Sequence, residues 1–290
     1  MDISVIIVNF NGAQFIEACL DSLLKSKLNG QFEVIVVDNA STDHSLDILK
    51  KYQNTIELIA NEENTGFSYA NNQAAKRANG EYLFLLNNDT VIPEDTMSIL
   101  LSFLKEHPDA GVITPKLLNE DGSLQCPGSI FGQWRFKSKV ARRVPFIAGA
   151  AILFPKSVYW EMGGLDENLF FYNDDVDMCK SLSKLGYSIY YVPEASLTHF
   201  GGLSTKFRKL SSLIEGYRGS VYLSLKHYGL LISFIYRLLV LVDIVIRLAI
   251  HAFLSFTRTN RLYVKAYLSV LRIVILNDIY LDRVKEKMKG

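Results

Sequence analysis

The sequence predicts an α/β protein with a mainly parallel sheet flanked by helices and a C-terminal amphipathic helical extension. Residues 34–37 and 83–86 are continuous apolar runs that each end in a polar cluster. Such runs are typical of strands buried on both faces of a parallel sheet. Predicted strands and helices also alternate through the first part of the chain, which indicates right-handed crossovers between parallel strands. Residues 230–275 have helical periodicity instead.

The individual elements follow from apolar periodicity and from the turn residues between them. Strands are predicted at residues 3–8, 32–37, 56–60, 82–86 and 189–192. Helices are predicted at about 15–24, 46–49, 68–78, 94–106 and 176–185. Residues 146–154 form a further apolar segment, whereas the glycines and proline of residues 119–133 predict a loop.

Charge is distributed unevenly along the chain, although the net charge is only +1. Residues 201–290 carry 15 Lys and Arg against 5 Asp and Glu, and residues 1–200 carry 16 against 25. An acidic body with a basic tail indicates an anionic surface that only the tail contacts. The three cysteines lack metal-ligand spacing and predict reduced thiols in a cytoplasmic protein. The N-terminus begins directly with a predicted strand, so we expect no signal peptide.

The polar residues of the tail are phased along two predicted helices. One face carries Ser233, Arg237, Asp243, Arg247, His251 and Ser255, and a later stripe carries Arg258, Arg261, Lys265, Ser269 and Arg272. No uncharged apolar run here reaches the ~18 residues of a spanning helix. We therefore predict helices that lie on a membrane surface, with the basic residues at anionic headgroups. The alternative is that the apolar faces pack on the rest of the protein or on a second subunit.

Two acidic residues follow predicted strands, where open α/β sheets bind their ligands. Asp38 is either a contact to a base or ribose or a cap for the next helix. Asp89, beside two asparagines, is either an oxygen ligand for Mg²⁺ or Mn²⁺ or part of a polar turn. The first strand is not followed by G-x-G-x-x-G, which argues against a dinucleotide site.

Later in the chain, Asp174, Asp175 and Asp177 cluster near a predicted helix start. They either complement the helix dipole or supply a carboxylate that takes a proton from an attacking hydroxyl. His199 is a metal ligand or a surface histidine. The basic residues of segment 135–143 either hold a pyrophosphate or are solvated.

The ordered set of these motifs resembles inverting glycosyltransferases of family 2, which have the GT-A fold. The resemblance covers about residues 1–205 and is closest to a bacterial rhamnosyltransferase-like branch. It rests on VIIVNFN (5–11), VDNASTD (37–43), NTGF (64–67), NND (87–89), GGLD (163–166), DDVD (174–177) and HFGG (199–202).

The resemblance implies a role for each matching residue. Asp89 and His199 would bind a divalent metal, Mg²⁺ or Mn²⁺, and Asn87 stands where the family has the first acid of its Asp-x-Asp motif. Asp175 would be the catalytic base. The donor-binding residues would be Val8, Asn9, Asp38, Asn64, Gly66, Asn71 and Asn88. Gly149, Asp174 and Asp177 would lie on the acceptor side or support the site.

The implied protein is a metal-dependent hexosyltransferase that moves a rhamnose-like sugar from a nucleoside-diphosphate sugar to a saccharide hydroxyl. Residues 1–205 would form the catalytic domain, with 1–90 as its nucleotide-binding half and 91–205 as its acceptor half, and 206–290 would form the membrane-associating extension. The acceptor would be polyprenyl-diphosphate-linked, for cell-surface polysaccharide synthesis at the inner face of the cytoplasmic membrane. No nucleic-acid partner is expected. A nucleotidyltransferase or a non-catalytic nucleotide-sugar-binding module is the alternative.

Overall fold

Nine strands form one mixed sheet in the computed structural model, which describes residues 1–126, 133–201 and 209–282. The chain divides into two compact units. The first unit comprises Met1–Asp166 and Asp175–Ser204 and contains the sheet, and the second comprises Glu167–Asp174 and Thr205–Gly290. Residues 167–174 therefore belong with the C-terminal helices, and no sequence pattern indicates this.

The apolar runs of the first part of the chain form neighbouring parallel strands, as predicted. They lie in the order β3-β2-β1-β4 and alternate along the chain with three helices. The strands are β1 (Ile3–Asn9), β2 (Phe32–Asp38), β3 (Glu57–Ala60) and β4 (Tyr82–Asn87), and the helices are α1 (Ile16–Leu24), α2 (Ser45–Lys50) and α3 (Phe67–Arg77).

The second part of the sheet is mixed, which the sequence does not show. The remaining elements are β5 (Thr90–Val91), α4 (Thr96–Glu106), β6 (Ala110–Leu118), a 3-10 turn at Gln133–Lys137, β7 (Arg142–Arg143), β8 (Ala151–Pro155), α5 (Lys156–Glu161), α6 (Asp174–Lys184) and β9 (Ser188–His199). Strand β8 runs antiparallel between β4 and β6. Strand β9 is much longer than the predicted 189–192 because β5, β6 and β7 all pair along it.

The core lies in two layers, one on each face of the sheet. Successive strand residues alternate between the layers, so that Val36 lies in the layer that contains residues of α1 and α4, whereas Ile35 and Val37 lie in the layer that contains residues of α3, α5 and α6. The strands are apolar on both sides because helices cover both faces. Polar residues of the site edge follow these apolar runs, where β1 pairs with β2 at Asn9 and Asp38 and β5 pairs with β9 at Thr90 and His199.

The second unit contains α7 (Lys209–Phe253) and α8 (Arg258–Leu276). The predicted amphipathic helices are therefore present, but α7 is broken at Gly229, whose φ of 79° and ψ of −178° are non-helical. The chain folds back there, because the hydroxyls of Ser224 and Ser233 lie 2.9 Å apart and the Tyr217 hydroxyl contacts Asp243. We call residues 209–228 the proximal segment and residues 230–253 the distal segment.

Among the described residues, one helix, Leu210–Phe253, is long and apolar enough to cross a membrane, by length and composition only. Its most apolar 18-residue window has a mean hydropathy of 2.3 and at most two charged residues, and 17% of it is buried. No span is predicted from the sequence, because no apolar run of that length is free of charged residues.

Candidate active site

Asp89 and His199 meet at the edge where β4 and β9 end. The short pairing of β5 with β9 places Thr90 opposite His199, and the Phe200 N–H donates to the Asp89 carbonyl over 2.9 Å. The His199 Nε2 then lies 3.2 Å from the Asp89 Oδ1 and 3.4 Å from the Asn87 Nδ2. Two residues 110 positions apart in the sequence thus converge on one point at this edge.

Gln125, which was not among the predicted site residues, orients the His199 ring. The Gln125 Nε2 donates to the Asn119 Oδ1 over 3.0 Å, so its Oε1 is the atom 2.6 Å from the His199 Nδ1. The ring therefore donates from Nδ1, and a neutral ring presents its Nε2 lone pair to Asp89. No sequence signal points to Gln125, which lies in a predicted loop.

The pair fits a divalent cation bound together with a diphosphate. A ring lone pair and a carboxylate oxygen 3.2 Å apart repel each other unless a proton or a cation lies between them. Among the described residues, no group of three His, Cys, Asp or Glu converges. Small divalent cations are commonly bound by one or two protein ligands and completed by substrate phosphates and water.

The predicted donor residue Asp38 is fully buried, and both its oxygens accept hydrogen bonds. Its Oδ1 accepts from the Asn9 Nδ2 over 2.9 Å and from the Ser41 hydroxyl over 2.6 Å, and its Oδ2 accepts from the Ser41 N–H over 3.0 Å. The Asn88 Nδ2 donates in turn to the Asn9 Oδ1 over 2.7 Å. The structure therefore joins Asn9, Asp38 and Asn88 in one network, in which Asp38 also fixes the turn after β2.

Gly12 lies against this network. A Cβ atom at Gly12 would lie 2.1 Å from the Asn88 Nδ2 and 2.3 Å from the Asn9 Oδ1. Only glycine allows the loop before α1 to approach these two side chains so closely.

The loop containing Asn64 and Gly66 is fixed by Asn39, a buried residue at the end of β2. The Asn39 Nδ2 donates to the Asn64 Oδ1 over 3.0 Å, and the Asn39 Oδ1 accepts from the Thr65 N–H over 3.0 Å. Gly66 has a φ of 84°, in the left-handed region that favours glycine. The structure thus places this predicted donor loop beside β2, and Asn39 was not among the predicted site residues.

Three other predicted site residues differ in how far they are buried. Asn71 is buried within α3, and its Nδ2 donates to the Phe67 carbonyl of the same helix over 2.9 Å. Val8 is half-buried and packs against the core layer of α3. Gly149 is half-buried just before β8, where the Asn87 N–H donates to the Ala150 carbonyl over 2.8 Å.

Asp175 lies in the first turn of α6. Because α6 leads into the start of β9, its C-terminal end lies at the edge where the parallel strands begin. The first turn of α6 lies about 16 Å from that end along the helix axis. It is therefore directed towards the opposite edge of the sheet, which holds Asp89. Burial raises the pKa of the Asp175 carboxyl to about 6, although the Val176 N–H donates to it over 2.8 Å. Asp177 is buried in the same helix, and Asp174 belongs to the second unit.

Two residues of the basic segment 135–143, Arg142 and Arg143, lie far from His199. Arg142 and Arg143 pair with Tyr191 and Tyr190 at the start of β9, roughly 25–30 Å from His199 along an extended strand. The Arg143 guanidinium is 2.9 Å from the Asp109 carboxylate. Arg142 and Arg143 therefore lie away from the edge that holds Asp89 and His199.

Comparison with protein families gives one match that spans more than half of the chain. Residues 4–163 match the model described as "Glycosyl transferase family 2". The poly-beta-1,6-N-acetyl-D-glucosamine synthase of Staphylococcus aureus is 27% identical over 202 residues, which are 67% of this chain and 48% of that protein. The chain spans about a quarter to a half of the length of the curated relatives it matches.

Solved structures with the same fold include two with bound nucleotide sugars. S. aureus TarS 1–349 in complex with UDP-GlcNAc has a TM-score of 0.60 and 23% identity, over 79% of this chain and 68% of that chain. The mannosyltransferase PcManGT of Pyrobaculum calidifontis, in complex with GDP-Man and Mn²⁺, has a TM-score of 0.58 and 19% identity, over 95% and 86% of the two chains. At these identities the likeness concerns the fold.

Proposed function

The chain belongs to glycosyltransferase family 2 and has its GT-A fold, and we propose that it transfers a sugar from a nucleoside-diphosphate donor to a hydroxyl group of a saccharide acceptor. The observation that carries the proposal is the meeting of Asp89 and His199, 3.2 Å apart, at the strand edge that also holds Asn9 and Asn88. Open α/β sheets bind their ligands at this edge.

Asp89 and His199 would hold the divalent cation, Mg²⁺ or Mn²⁺. When bound, the cation supplies Lewis-acid stabilisation of the charge that develops on the leaving diphosphate. Both side chains are sheltered from solvent, with relative exposures of 11% and 15%, which strengthens their attraction for a cation. Two relatives in fold carry Mn²⁺ in their solved complexes, which supports a divalent ion of this kind.

Asp175 would act on the acceptor. As the acceptor oxygen attacks the anomeric carbon, the carboxylate removes its proton, and the bond to the diphosphate breaks on the opposite face. A single displacement of this kind inverts the anomeric centre without a covalent intermediate. A pKa of about 6 leaves Asp175 mostly ionised at neutral pH and gives it a stronger basicity than a solvated carboxylate.

We further propose that the product belongs to a cell-surface polysaccharide and that the acceptor is a polyprenyl-diphosphate-linked saccharide at the inner face of the cytoplasmic membrane. The support is the likeness to a poly-beta-1,6-N-acetyl-D-glucosamine synthase and the basic, apolar character of the C-terminal helices. The rhamnose-like donor rests on the motif resemblance alone.

A donor screen tests the function. Purified protein is mixed with UDP-, GDP- and dTDP-sugars and Mn²⁺, with and without saccharide acceptors, and released nucleoside diphosphate is measured. Acceptor-dependent release that EDTA and Asp89→Ala both abolish supports the proposal. Donor binding without release in any combination would favour a non-catalytic binding module.

A nucleotidyltransferase is separated by the product. It would release pyrophosphate from a nucleoside triphosphate and a sugar phosphate, and such activity would contradict the proposal. The loop after β1, residues 9–12, contains neither Lys nor Arg, which disfavours this alternative, because its triphosphate would need a basic, glycine-rich loop there.

A further inference from the structure

The distal segment exposes an apolar surface along its whole length. Its large side chains are unusually exposed, as shown by Leu231 at 74%, Phe234 at 59%, Leu239 at 64%, Val242 at 59%, Ile246 at 54% and Phe253 at 87%. At 100° per residue these six side chains fall within an arc of roughly 140°. We call this surface the apolar arc. Scattered exposed apolar residues are ordinary, but a continuous surface of this kind marks an interaction site.

The polar side chains of the distal segment lie on the side opposite the apolar arc, where they contact one another or neighbouring helices. Ser233 is 2% exposed and contacts the Ser224 hydroxyl, and the Arg237 guanidinium contacts the Asn277 side chain. Asp243 is bound by the Tyr217 hydroxyl and by Arg247, whose Nε lies 2.9 Å from it. A soluble amphipathic helix has the opposite arrangement, with its apolar face on the protein and its polar face in water.

Arg237 and Arg247, both predicted to meet lipid headgroups, differ in exposure. The Arg237 guanidinium contacts the Asn277 side chain and is half-buried, whereas Arg247 pairs with Asp243 of the same helix and its side chain is 49% exposed. The predicted basic contacts Arg258, Arg261, Lys265 and Arg272 of α8 are also exposed. Most of these exposed basic residues therefore lie on α8, whereas the apolar arc lies on the distal segment.

We infer that the apolar arc inserts into the acyl-chain region of a lipid bilayer, with the distal segment lying in the plane of the membrane. The inference concerns a surface of the second unit. It deepens the membrane location proposed above and does not depend on the sugar transfer itself. Lipid is the occupant that fits an outward apolar helix whose polar side chains lie on its opposite face, because acyl chains offer no hydrogen-bond partners.

Charge favours lipid over a second copy of the chain. The sequence from residue 201 onwards carries 15 basic against 5 acidic residues. Two copies joined through the apolar arcs would bring two such basic units together and repel each other. An anionic leaflet instead attracts juxtamembrane basic residues such as those of α8.

Charge also decides between an in-plane and a spanning orientation. The 24 residues of the distal segment extend about 36 Å, so length permits a span. Helix α8 runs back alongside it, because Arg237 contacts Asn277 and the His251 Nδ1 lies 2.8 Å from the Asn260 Oδ1. A spanning distal segment would therefore carry exposed Arg261, Lys265 and Arg272 into the hydrocarbon, where charged side chains are strongly disfavoured.

The test uses full-length protein and sedimentation with phosphatidylcholine vesicles containing about one third phosphatidylglycerol. The key variant is Leu239→Gln/Val242→Gln/Ile246→Gln, and the matched control is Arg261→Gln/Lys265→Gln. Wild-type protein is expected to remain bound in about 1 M NaCl, where surface charge interactions are screened. The vesicle affinity of the triple variant should fall by at least about tenfold. The control should lose only the part of the affinity that NaCl also removes. Since all three substituted residues are exposed, the unfolding midpoint should not fall.

Several outcomes would overturn the inference. One is unchanged sedimentation of the triple variant, and another is complete release of wild-type protein by salt. A third is a detergent-free homodimer that the triple variant converts to monomer, because the arc would then be an interface between copies.

The orientation is tested separately by labelling. In a Cys126→Ser background, Lys265→Cys should react with a membrane-impermeant maleimide in the presence of vesicles, whereas Leu239→Cys should be protected by them. Protection of both positions would show that α8 enters the hydrocarbon and would contradict the in-plane orientation.

Discussion

At the level of single residues, Asp175 combines a proposed chemical role with a measurable effect on stability. Its pKa is raised from 3.8 to about 6 by burial. The folded protein therefore binds this proton more tightly than the unfolded chain, so stability is lost as the pH rises from about 4 to 6. Above that window the buried charge persists and its cost is constant.

Asp175→Asn should therefore abolish transfer and stabilise the fold. Turnover should fall on the order of 100-fold or more, because the general base is removed, while donor affinity measured by calorimetry stays near wild type. The unfolding midpoint should rise at pH 7, with a gain on the order of 1 kcal/mol or more, and the gain should vanish near pH 4. Wild-type turnover would move the base to another residue, and a lowered midpoint at pH 7 would show that the carboxylate is stabilising.

Gln125 offers a second test at this scale, since it contacts His199 without facing Asp89. Gln125→Leu removes the acceptor for the Nδ1–H, and Gln125→Glu retains one. Partners of this kind orient a ligand ring, and their loss commonly weakens metal binding by about 10- to 100-fold. For Gln125→Leu we expect this weakening of Mn²⁺ binding. It is measured by titrating Mn²⁺ in the presence of UDP and monitoring the electron paramagnetic resonance signal. Equal metal affinity in both variants would show that the ring is held by other contacts.

At the level of elements, the loop before α1 is held to the ends of β1 and β4 by close packing. Gly12→Ala would place a methyl group within 2.3 Å of atoms of Asn9 and Asn88, so one of these side chains must move. Nucleotide affinity should fall by about tenfold and stability by about 1–3 kcal/mol, as in other overpacked sites. Calorimetry and thermal unfolding measure the two effects.

Gly216→Ala is the matched control. Its position is helical, and a Cβ there meets no atom within 4 Å. It should leave nucleotide affinity unchanged and keep or slightly raise the unfolding midpoint. If both alanine variants behave alike, Gly12 has no special role in the site.

The elements also show which parts of the fold the sequence specifies. Strands β1 to β4 were predicted because each is a local apolar run that ends in turn residues. The antiparallel insertion of β8 depends on pairing between residues far apart, such as Leu83 with Phe154, which no local pattern encodes. The meeting of Asp89 and His199 depends on the pairing of β5 with β9, and only the family resemblance linked these residues in advance. Gln125 and Asn39 were missed because amide side chains carry no signal until their partners are known.

At the level of the whole molecule, the second unit is held together by Arg218. This side chain is 4% exposed and contacts three separate parts of the chain. Its guanidinium donates to the Asn168 carbonyl over 2.8 Å, to the Ile279 carbonyl over 2.7 Å and to the Glu215 carboxylate over 2.6 Å. Residues 167–174 thus depend on the C-terminal helices, and a protein shortened before Ile279 would lose one of these contacts.

Arg218→Ala should therefore destabilise the second unit selectively. It leaves Glu215 and two buried carbonyl groups without their charged donor, a change that typically costs about 3–5 kcal/mol. Hydrogen exchange followed by mass spectrometry should show faster exchange for amides of α8 and for Leu281, whose N–H donates to the Asn168 Oδ1 over 3.1 Å. Amides of β1 report on the first unit and should keep their protection. The control is Arg261→Ala, an exposed position on α8 where a substitution should change stability by less than about 0.5 kcal/mol. Uniform loss of protection in β1 and α8 would mean that the two units unfold together, and unchanged protection in α8 would show that Arg218 does not hold the second unit together.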